Sequence, residues 1–413
     1  MRISWLEKTF AVFTLFLFTK PFIDTGLVED GWISKQGDYL VWSVFLSVYA
    51  AAFLLLGKRQ FLEWASKDKL LLLLLSFVLL SLAWSEDPAI TFKRTIALLG
   101  TVTVGIYFAS RYSLKELVTL LAWSLGIAAV LSAIAGVAMP HYAVMTDEHY
   151  GAWRGIYVHK NILGRLMALS SISFLSIATG FRSHRLVGWV GFLFSVALLL
   201  ASTSLTAVLV LSVLVFMAPL VNLMRRHPML VPALVASSLV FASMVVWLTD
   251  SSPVLLKFLG RDPTFTGRVD LWQSAELVIE QNPWIGHGYG TAWVGEGDDA
   301  ATDISRFSEW NAPNAHNGFL NLTLDLGLLG LVSFLLGYVV AVRRSVAYIR
   351  NNLTAADIWP CMFLVFVLLT NLTESVLLSY NNIDWLLYVA TVVSLAHNSV
   401  GYSRPLASQI VYG

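Results

Sequence analysis

One cysteine in 413 residues, Cys361 inside an apolar run, leaves no intramolecular disulfide to staple the chain. Charge is scarce as well. Asp, Glu, Lys and Arg make up 13% of the residues against 57% hydrophobic ones, and outside one loop no polar stretch is long enough for a soluble domain. These shortages exclude an ordinary globular protein. No internal repeat or low-complexity tract occurs, and no His, Cys or carboxylate spacing suits a metal ion. Gly286-His287-Gly288-Tyr289-Gly290 departs from the glycine spacing of a nucleotide loop and reads as tight turns. The formal net charge of +1 is a near cancellation, with no footprint for nucleic acid.

What is there is a series of apolar runs near the roughly 20 residues that cross a bilayer. Twelve are predicted: Phe10–Phe22, Tyr39–Leu56, Leu70–Trp84, Thr95–Ala109, Leu117–Val137, Ile162–Thr179, Leu186–Ala201, Leu205–Leu223, Leu230–Leu248, Gly318–Val342, Ile358–Val376 and Trp385–Ala396. The expected class is all-α, a polytopic membrane protein with residues 1–413 as one integral domain. The first run has the length of a signal peptide, but Thr19-Lys20-Pro21 is no small-x-small cleavage site, so it reads as an uncleaved helix snorkelling at Lys20. Ala201-Ser202-Thr203-Ser204 is a polar break too short for a loop, where Ser and Thr can satisfy freed backbone groups.

Most Lys and Arg fall in alternate connections, which the positive-inside rule makes cytoplasmic, along with both termini. The remaining connections face outward, yet they carry Lys93, Arg94, Arg154, Lys160, Arg261 and Arg268. Cations on the wrong side point to an anionic substrate held at the outer face; headgroup contact is the competing explanation for each alone. The one long loop, residues 249–317, lies on that side. Within it Val269 to Gln281 has helical periodicity and is ended by Pro283, reading as an amphipathic helix on the membrane surface or over a cavity.

His316 stands where this loop enters the tenth run. The positive end of a helix dipole and nearby arginines disfavour its protonated form, which suits a general base; an interfacial cap is the plainer alternative. Asn317, Asn321 and Asp325 follow at i, i+4 and i+8 as a polar stripe, and such stripes face a bundle interior. Arg268 follows Gly267 at the start of the surface helix, where free N–H groups and a bidentate guanidinium suit a diphosphate; pairing with Asp270 is the alternative. Asn161 and Arg165 share a face after Arg154 and Lys160, and Glu374 is a candidate counter-ion for these cations.

Arg154-Gly155-Ile156-Tyr157 with His159-Lys160-Asn161, Gly267-Arg268 with Trp272, Pro283-Trp284-Ile285-Gly286, and Ala315-His316-Asn317-Gly318-Phe319-Leu320 with Gly327-Leu328-Leu329-Gly330 resemble the O-antigen ligase and exopolysaccharide polymerase superfamily. The resemblance runs in order over most of the chain. It implies a GT-C-like glycosyltransferase of the bacterial inner membrane, with about twelve helices, a large periplasmic loop and a periplasm-facing site. It also implies an undecaprenyl-diphosphate-linked glycan as donor, a glycan or lipid A core as acceptor, no metal or other cofactor, and other polysaccharide-export proteins as candidate partners. The family's essential His falls on His316 and its loop Arg on Arg268. Many members carry a cation in the break after the seventh span, where this chain has Ser202-Thr203-Ser204-Leu205-Thr206; Lys160 or Arg165 are the candidates to replace it. The expected chemistry is inverting transfer, with His316 as base and Arg268, Arg94, Arg154 and Lys160 stabilising the departing diphosphate. A repeat-unit polymerase is the first reading and an O-antigen ligase the second. A lipid-linked sugar flippase is the rival from another class, disfavoured because the ionisable groups cluster at one face instead of the midplane.

Overall fold

The computed structural model describes residues 4–22, 32–146, 149–224, 266–294, 299–308, 312–352 and 354–402. Among these residues the chain is helical throughout, with one isolated bridge between Val144 and Trp153. Eleven of the twelve predicted runs are helices. The ninth, Leu230–Leu248, lies outside the described residues, as do Arg261 and the acidic part of the loop before Asp299. In order the helices are α1 (Trp5–Phe18), α2 (Trp32–Leu56), α3 (Lys58–Ala65), α4 (Lys69–Leu80), α5 (Pro88–Arg111), α6 (Leu114–Ala138), α7 (Pro140–Ala143), α8 (Lys160–Gly180), α9 (Arg185–Ala201), α10 (Leu205–Met224), α11 (Thr266–Gln281), α12 (Ala300–Ser308), α13 (Gly318–Asn351), α14 (Trp359–Thr370) and α15 (Ile383–Tyr402). Five of the described helices are long and apolar enough to cross a membrane, or six if the bent pair α2 and α3 is one span. Together with the composition, this is a membrane protein.

Local chemistry sets the ends. Asp87 accepts from Ile90 N–H at 2.9 Å and Pro88 opens α5, so that helix starts seven residues before the predicted limit and places Arg94 inside it. Ser113 and Glu116 form a reciprocal capping box for α6. His159 Nδ1 accepts from Asn161 N–H at 3.2 Å and caps α8. The first helix ends at Phe18 rather than Phe22, and α14 ends at Thr370 rather than Val376, because turns with polar caps take over there.

The core runs along α5, α8, α14 and α15, which are buried on most sides. α15 lies against α5, and α8 against α9. Trp359 stacks on Phe363 at 5.0 Å between ring centroids, and Trp385 on Tyr388 at 5.0 Å. Exposed Leu, Val and Phe side chains on α9 and on the outer face of α13 mark the surface left to lipid.

The tenth run is not one straight helix. Gly327 has φ 64° and ψ −168°, which breaks α13. The loop segment from Pro283 to Gly288 lies in the break and pairs its backbone with both halves. His287 and Gly288 N–H donate to the Leu324 and Asp325 carbonyls at 2.8 and 3.1 Å, and Leu328 and Leu329 N–H donate to Pro283 and Trp284 carbonyls at 2.8 and 3.2 Å. Gly286, Gly288 and Gly290 have positive φ, as the reading of tight turns requires, but the turns serve to seat the loop in a cut helix. A Cβ on Gly327 would come within 2.2 Å of the Trp284 carbonyl carbon, whereas one on Gly337 in the same helix meets only Leu70 Cβ at 3.6 Å. Gly327→Ala is therefore expected to destabilise the detergent-solubilised protein by at least about 2 kcal/mol. Its thermal aggregation midpoint should fall clearly, while that of Gly337→Ala stays close to wild type.

Candidate functional site

Three connections meet at one end of the bundle. The first is 314–318, which enters α13. Asn317 caps the helix by accepting from Phe319 and Leu320 N–H at 3.0 and 3.2 Å, and its own N–H donates to Ser375 Oγ at 3.2 Å. The second is the turn 371–377 after α14. Buried Asn371 folds it by accepting from Val376 and Leu377 N–H at 3.0 and 3.1 Å, and its carbonyl accepts from Gly318 N–H at 2.8 Å. A Cβ on Gly318 would lie 2.0 Å from Asn371 Oδ1, so only glycine lets the two connections close on each other. The third is α11, which docks by donating from Trp272 Nε1 to the Ala315 carbonyl at 2.8 Å.

This junction brings together most of the predicted side chains. Glu374 is half-buried near Arg165 of α8 and Arg268 of α11, with Asn161 as a hydrogen-bond partner. Arg268 Nη1 also donates to the Thr373 carbonyl at 3.1 Å, one residue away. Arg165 Nη1 is 3.1 Å from Asp384 Oδ2, a carboxylate at the start of α15. His316 sits on the loop side of the cluster in a left-handed backbone (φ 47°), within the fields of Arg268 and His159. Burial first, then those two groups, push its imidazole down to about 4. The neutral state expected from the sequence is present, though desolvation contributes more to it than the cations do.

The break after α9 lies on the same side. Ser204 Oγ donates to Asn161 Oδ1 at 3.1 Å, and Lys160 Nζ is 3.5 Å from Thr203 Oγ1. Asn161, Arg165, Ser204, Thr206 and Glu374 line a crevice of about 10 Å³, room for about one water. The two cations named as substitutes for the missing one thus both reach the break. A much larger groove, about 770 Å³, lies between α1 and α6. Its walls are mostly apolar, Phe13, Trp123 and Ile127 among them, and none of the site side chains lines it.

Two predicted residues stand differently. Arg154 turns its guanidinium to the Tyr142 and Val158 carbonyls at 2.8 and 3.3 Å and braces its own loop. Arg94 lies against the loop, with Nη1 on the Gly290 carbonyl and Cζ 5.8 Å from the Tyr380 ring centroid. Glu374 answers Arg165 and Arg268, where the sequence pointed to Arg94, Arg154 and Lys160 as well. Lys93 lies 4.8 Å from the Trp42 ring on an exposed face, as a headgroup-facing residue should.

Sequence reasoning missed Lys20, Tyr380, Asp384 and the pair Glu86 with His287. Lys20 Nζ is 5.5 Å from the Tyr380 ring centroid and within the fields of Arg94 and Arg165. A lysine at the end of an apolar run looks the same whether it snorkels or turns inward, so no pattern could separate the two. His287 Nδ1 faces Glu86 Oε1 at 2.6 Å and Nε2 faces the Val278 carbonyl at 3.0 Å. Both partners are acceptors, which favours a proton on each nitrogen. Burial opposes that charge, but Glu86 and the Val278 carbonyl outweigh it and raise the imidazole above its usual range. Glu86 Oε2 also accepts from Ala300 N–H at 3.1 Å, so one carboxylate fixes α11 through His287 and α12 directly.

A histidine whose folded pKa is raised contributes stability that is complete below the ordinary value and fades as pH rises through the raised one. Limited proteolysis of the 266–312 region should therefore accelerate as pH rises past that point in the wild type. Glu86→Gln should already show the faster cleavage near pH 7, with a flatter pH dependence.

Residues 190–335, which include Arg268 and His316, match the family described as O-Antigen ligase. The exopolysaccharide production protein ExoQ of Rhizobium meliloti (strain 1021) is 25% identical over 277 residues, covering 64% of this chain and 62% of ExoQ. A protein of Rickettsia prowazekii (strain Madrid E) provisionally named a polysaccharide ligase is 25% identical over 270 residues, covering 63% of this chain and 58% of that protein. The chain thus spans about three fifths of the length of these curated relatives. The match and the relatives bear out the resemblance: this chain is similar to members of the O-antigen ligase and exopolysaccharide polymerase superfamily.

Proposed function

We propose that the protein is an inverting membrane glycosyltransferase that moves a glycan from a polyprenyl diphosphate to a sugar hydroxyl, as a repeat-unit polymerase of an exopolysaccharide or O-antigen. The observation that carries this reading is the half-buried imidazole of His316, held in its neutral form beside Arg268, in a cluster whose other cation, Arg165, also neighbours Glu374. The similarity to an exopolysaccharide production protein favours a growing glycan as acceptor. In this reading the site end of the bundle faces the periplasm of the inner membrane, the termini are cytoplasmic, and the full set of about twelve spans includes the ninth run.

The steps follow from the side chains. The lipid stays in the bilayer while its diphosphate reaches Arg268 and Arg165. His316 takes the proton of the acceptor hydroxyl, whose oxygen attacks the anomeric carbon from the face opposite the diphosphate. The bond from that carbon to the phosphate oxygen breaks, and the lipid diphosphate leaves with the electron pair. The guanidinium groups meet the charge that develops there, a task a divalent cation performs in many other enzymes.

His316→Ala should lower transfer by about 10²–10⁴-fold, and Arg268→Ala by about 10²–10³-fold, in purified protein given a lipid-diphosphate oligosaccharide. Offering the acceptor as lipid-linked glycan or as lipopolysaccharide core separates polymerase from ligase by which product lengthens. Movement of labelled lipid across the bilayer with no new glycosidic bond would favour a flippase. In kcat/KM for the donor, the acid limb assigned to His316 should appear near pH 4 rather than near 6.5, since the imidazole stays a base down to about 4. That limb should vanish from the residual activity of His316→Ala.

A further inference from the structure

Lys20 ends the first helix in an unusual way. Thr19 caps α1, Lys20 takes a left-handed backbone (φ 58°), and after buried Pro21 a second left-handed residue follows, Phe22 (φ 59°). Residues with a Cβ hold such conformations only where their surroundings fix them. Here Phe22 N–H donates to the Ile156 carbonyl at 2.9 Å, and the Tyr157 hydroxyl donates to Thr19 Oγ1 at 3.3 Å. The turn is thereby bonded to the segment that leads into α8, and it carries the Lys20 ammonium inward to Tyr380.

Two cations from two parts of the chain then crowd one aromatic ring, with a third, Arg165, near enough to act on Lys20. Lys20 Nζ and Arg94 Cζ lie 5.5 and 5.8 Å from the Tyr380 centroid, and Arg165 acts on Lys20 together with Arg94. Arg165 has Asp384 at 3.1 Å and Arg94 has the Gly290 carbonyl. Among the described residues the Lys20 ammonium has the ring but no hydrogen bond or ion pair. Desolvated like charges repel one another, and an anion among them removes that penalty. An ammonium is a compact point charge with three donors, suited to phosphate oxygens. Arg165 also neighbours Glu374, which Arg268 shares, so the row continues to the reacting end of the site.

We propose that Lys20, with Arg94 and Arg165, binds a lipid-borne phosphate, the one in the donor's diphosphate that lies farther from the sugar. This rests on the reading above that the donor is a lipid-linked diphosphate. The phosphate nearer the sugar lies towards Arg268 and His316, since Arg165 and Glu374 join the two ends of the row.

The test uses the full chain in phosphatidylcholine nanodiscs. Lys20→Gln should raise the donor KM about tenfold with kcat changed less than about threefold, and Lys20→Arg should restore KM. Wild-type transfer should be inhibited more strongly by polyprenyl diphosphate than by polyprenyl monophosphate, and Lys20→Gln should shrink that preference by about tenfold. A lysine needed only for folding would shift both inhibitors alike, which overturns the proposal. Discs containing phosphatidylglycerol identify the other source of lipid phosphate. If Lys20→Gln alters only the response to phosphatidylglycerol, the site belongs to a bilayer headgroup and the proposal fails. Wild-type donor KM in Lys20→Gln alongside an inactive Arg268→Ala overturns the assignment of Lys20 alone, whereas full transfer by both Arg268→Ala and His316→Ala overturns the reaction reading itself.

Discussion

A helix that is cut open among apolar neighbours must find partners for the backbone groups it releases, because no water is there to take them. Gly327 makes such a cut in α13, and the segment from Pro283 to Gly288 supplies the partners, donating to one half and accepting from the other. That exchange ties a connection outside the bundle to the interior of the longest described helix. Its consequences spread outward. With the segment fixed, His287 reaches both Glu86 and the Val278 carbonyl, which holds α11, and α11 in turn delivers Trp272 to Ala315 and Arg268 to the turn at Thr373. The loop arginine and His316, far apart in sequence, meet because a backbone debt inside the bundle is settled by the loop.

The cluster at the junction obeys a second constraint, that buried charge needs a partner of opposite sign. Arg165 has Asp384, and Glu374 lies between Arg165 and Arg268. An anion entering this group would meet the field of Glu374 as well as those of the two guanidinium groups. The crevice of about 10 Å³ among the described side chains is far smaller than a sugar diphosphate.

Much of this could be read in the sequence, and the part that could not has a common cause. The helices were legible because long apolar runs have few other fates, and the positions of His316 and Arg268 at the starts of helices because polar and Gly residues precede those runs. The α13 break was not legible, since Gly327 sits in a run of Leu and Gly whose hydropathy is uninterrupted. Nor was α3, whose eight residues carry Lys58, Arg59 and Glu63 and read as a connection, although they turn by 93° from the second span. Arg154 was drawn into the site by its charge and its supposed side of the membrane. Sidedness says which end of the bundle a residue occupies, and nothing about whether a carbonyl next door will claim it. Long-range pairs such as Arg165 with Asp384, separated by more than two hundred residues, leave no local pattern at all.

The two histidines at this end of the protein show how one environment produces opposite chemistry. Both are desolvated, and desolvation alone would keep both neutral. His287 faces a carboxylate and a carbonyl, each of which needs a proton to bind, so the charged ring is favoured and works as a rivet. His316 faces Arg268 and His159, so nothing offsets the loss of water and its ring stays a base. What distinguishes fastener from reactive group is then not burial, or proximity to the loop, but the sign of the neighbours. Those neighbours are set by the same loop insertion, which brings Glu86 and Val278 to one ring and Arg268 to the other.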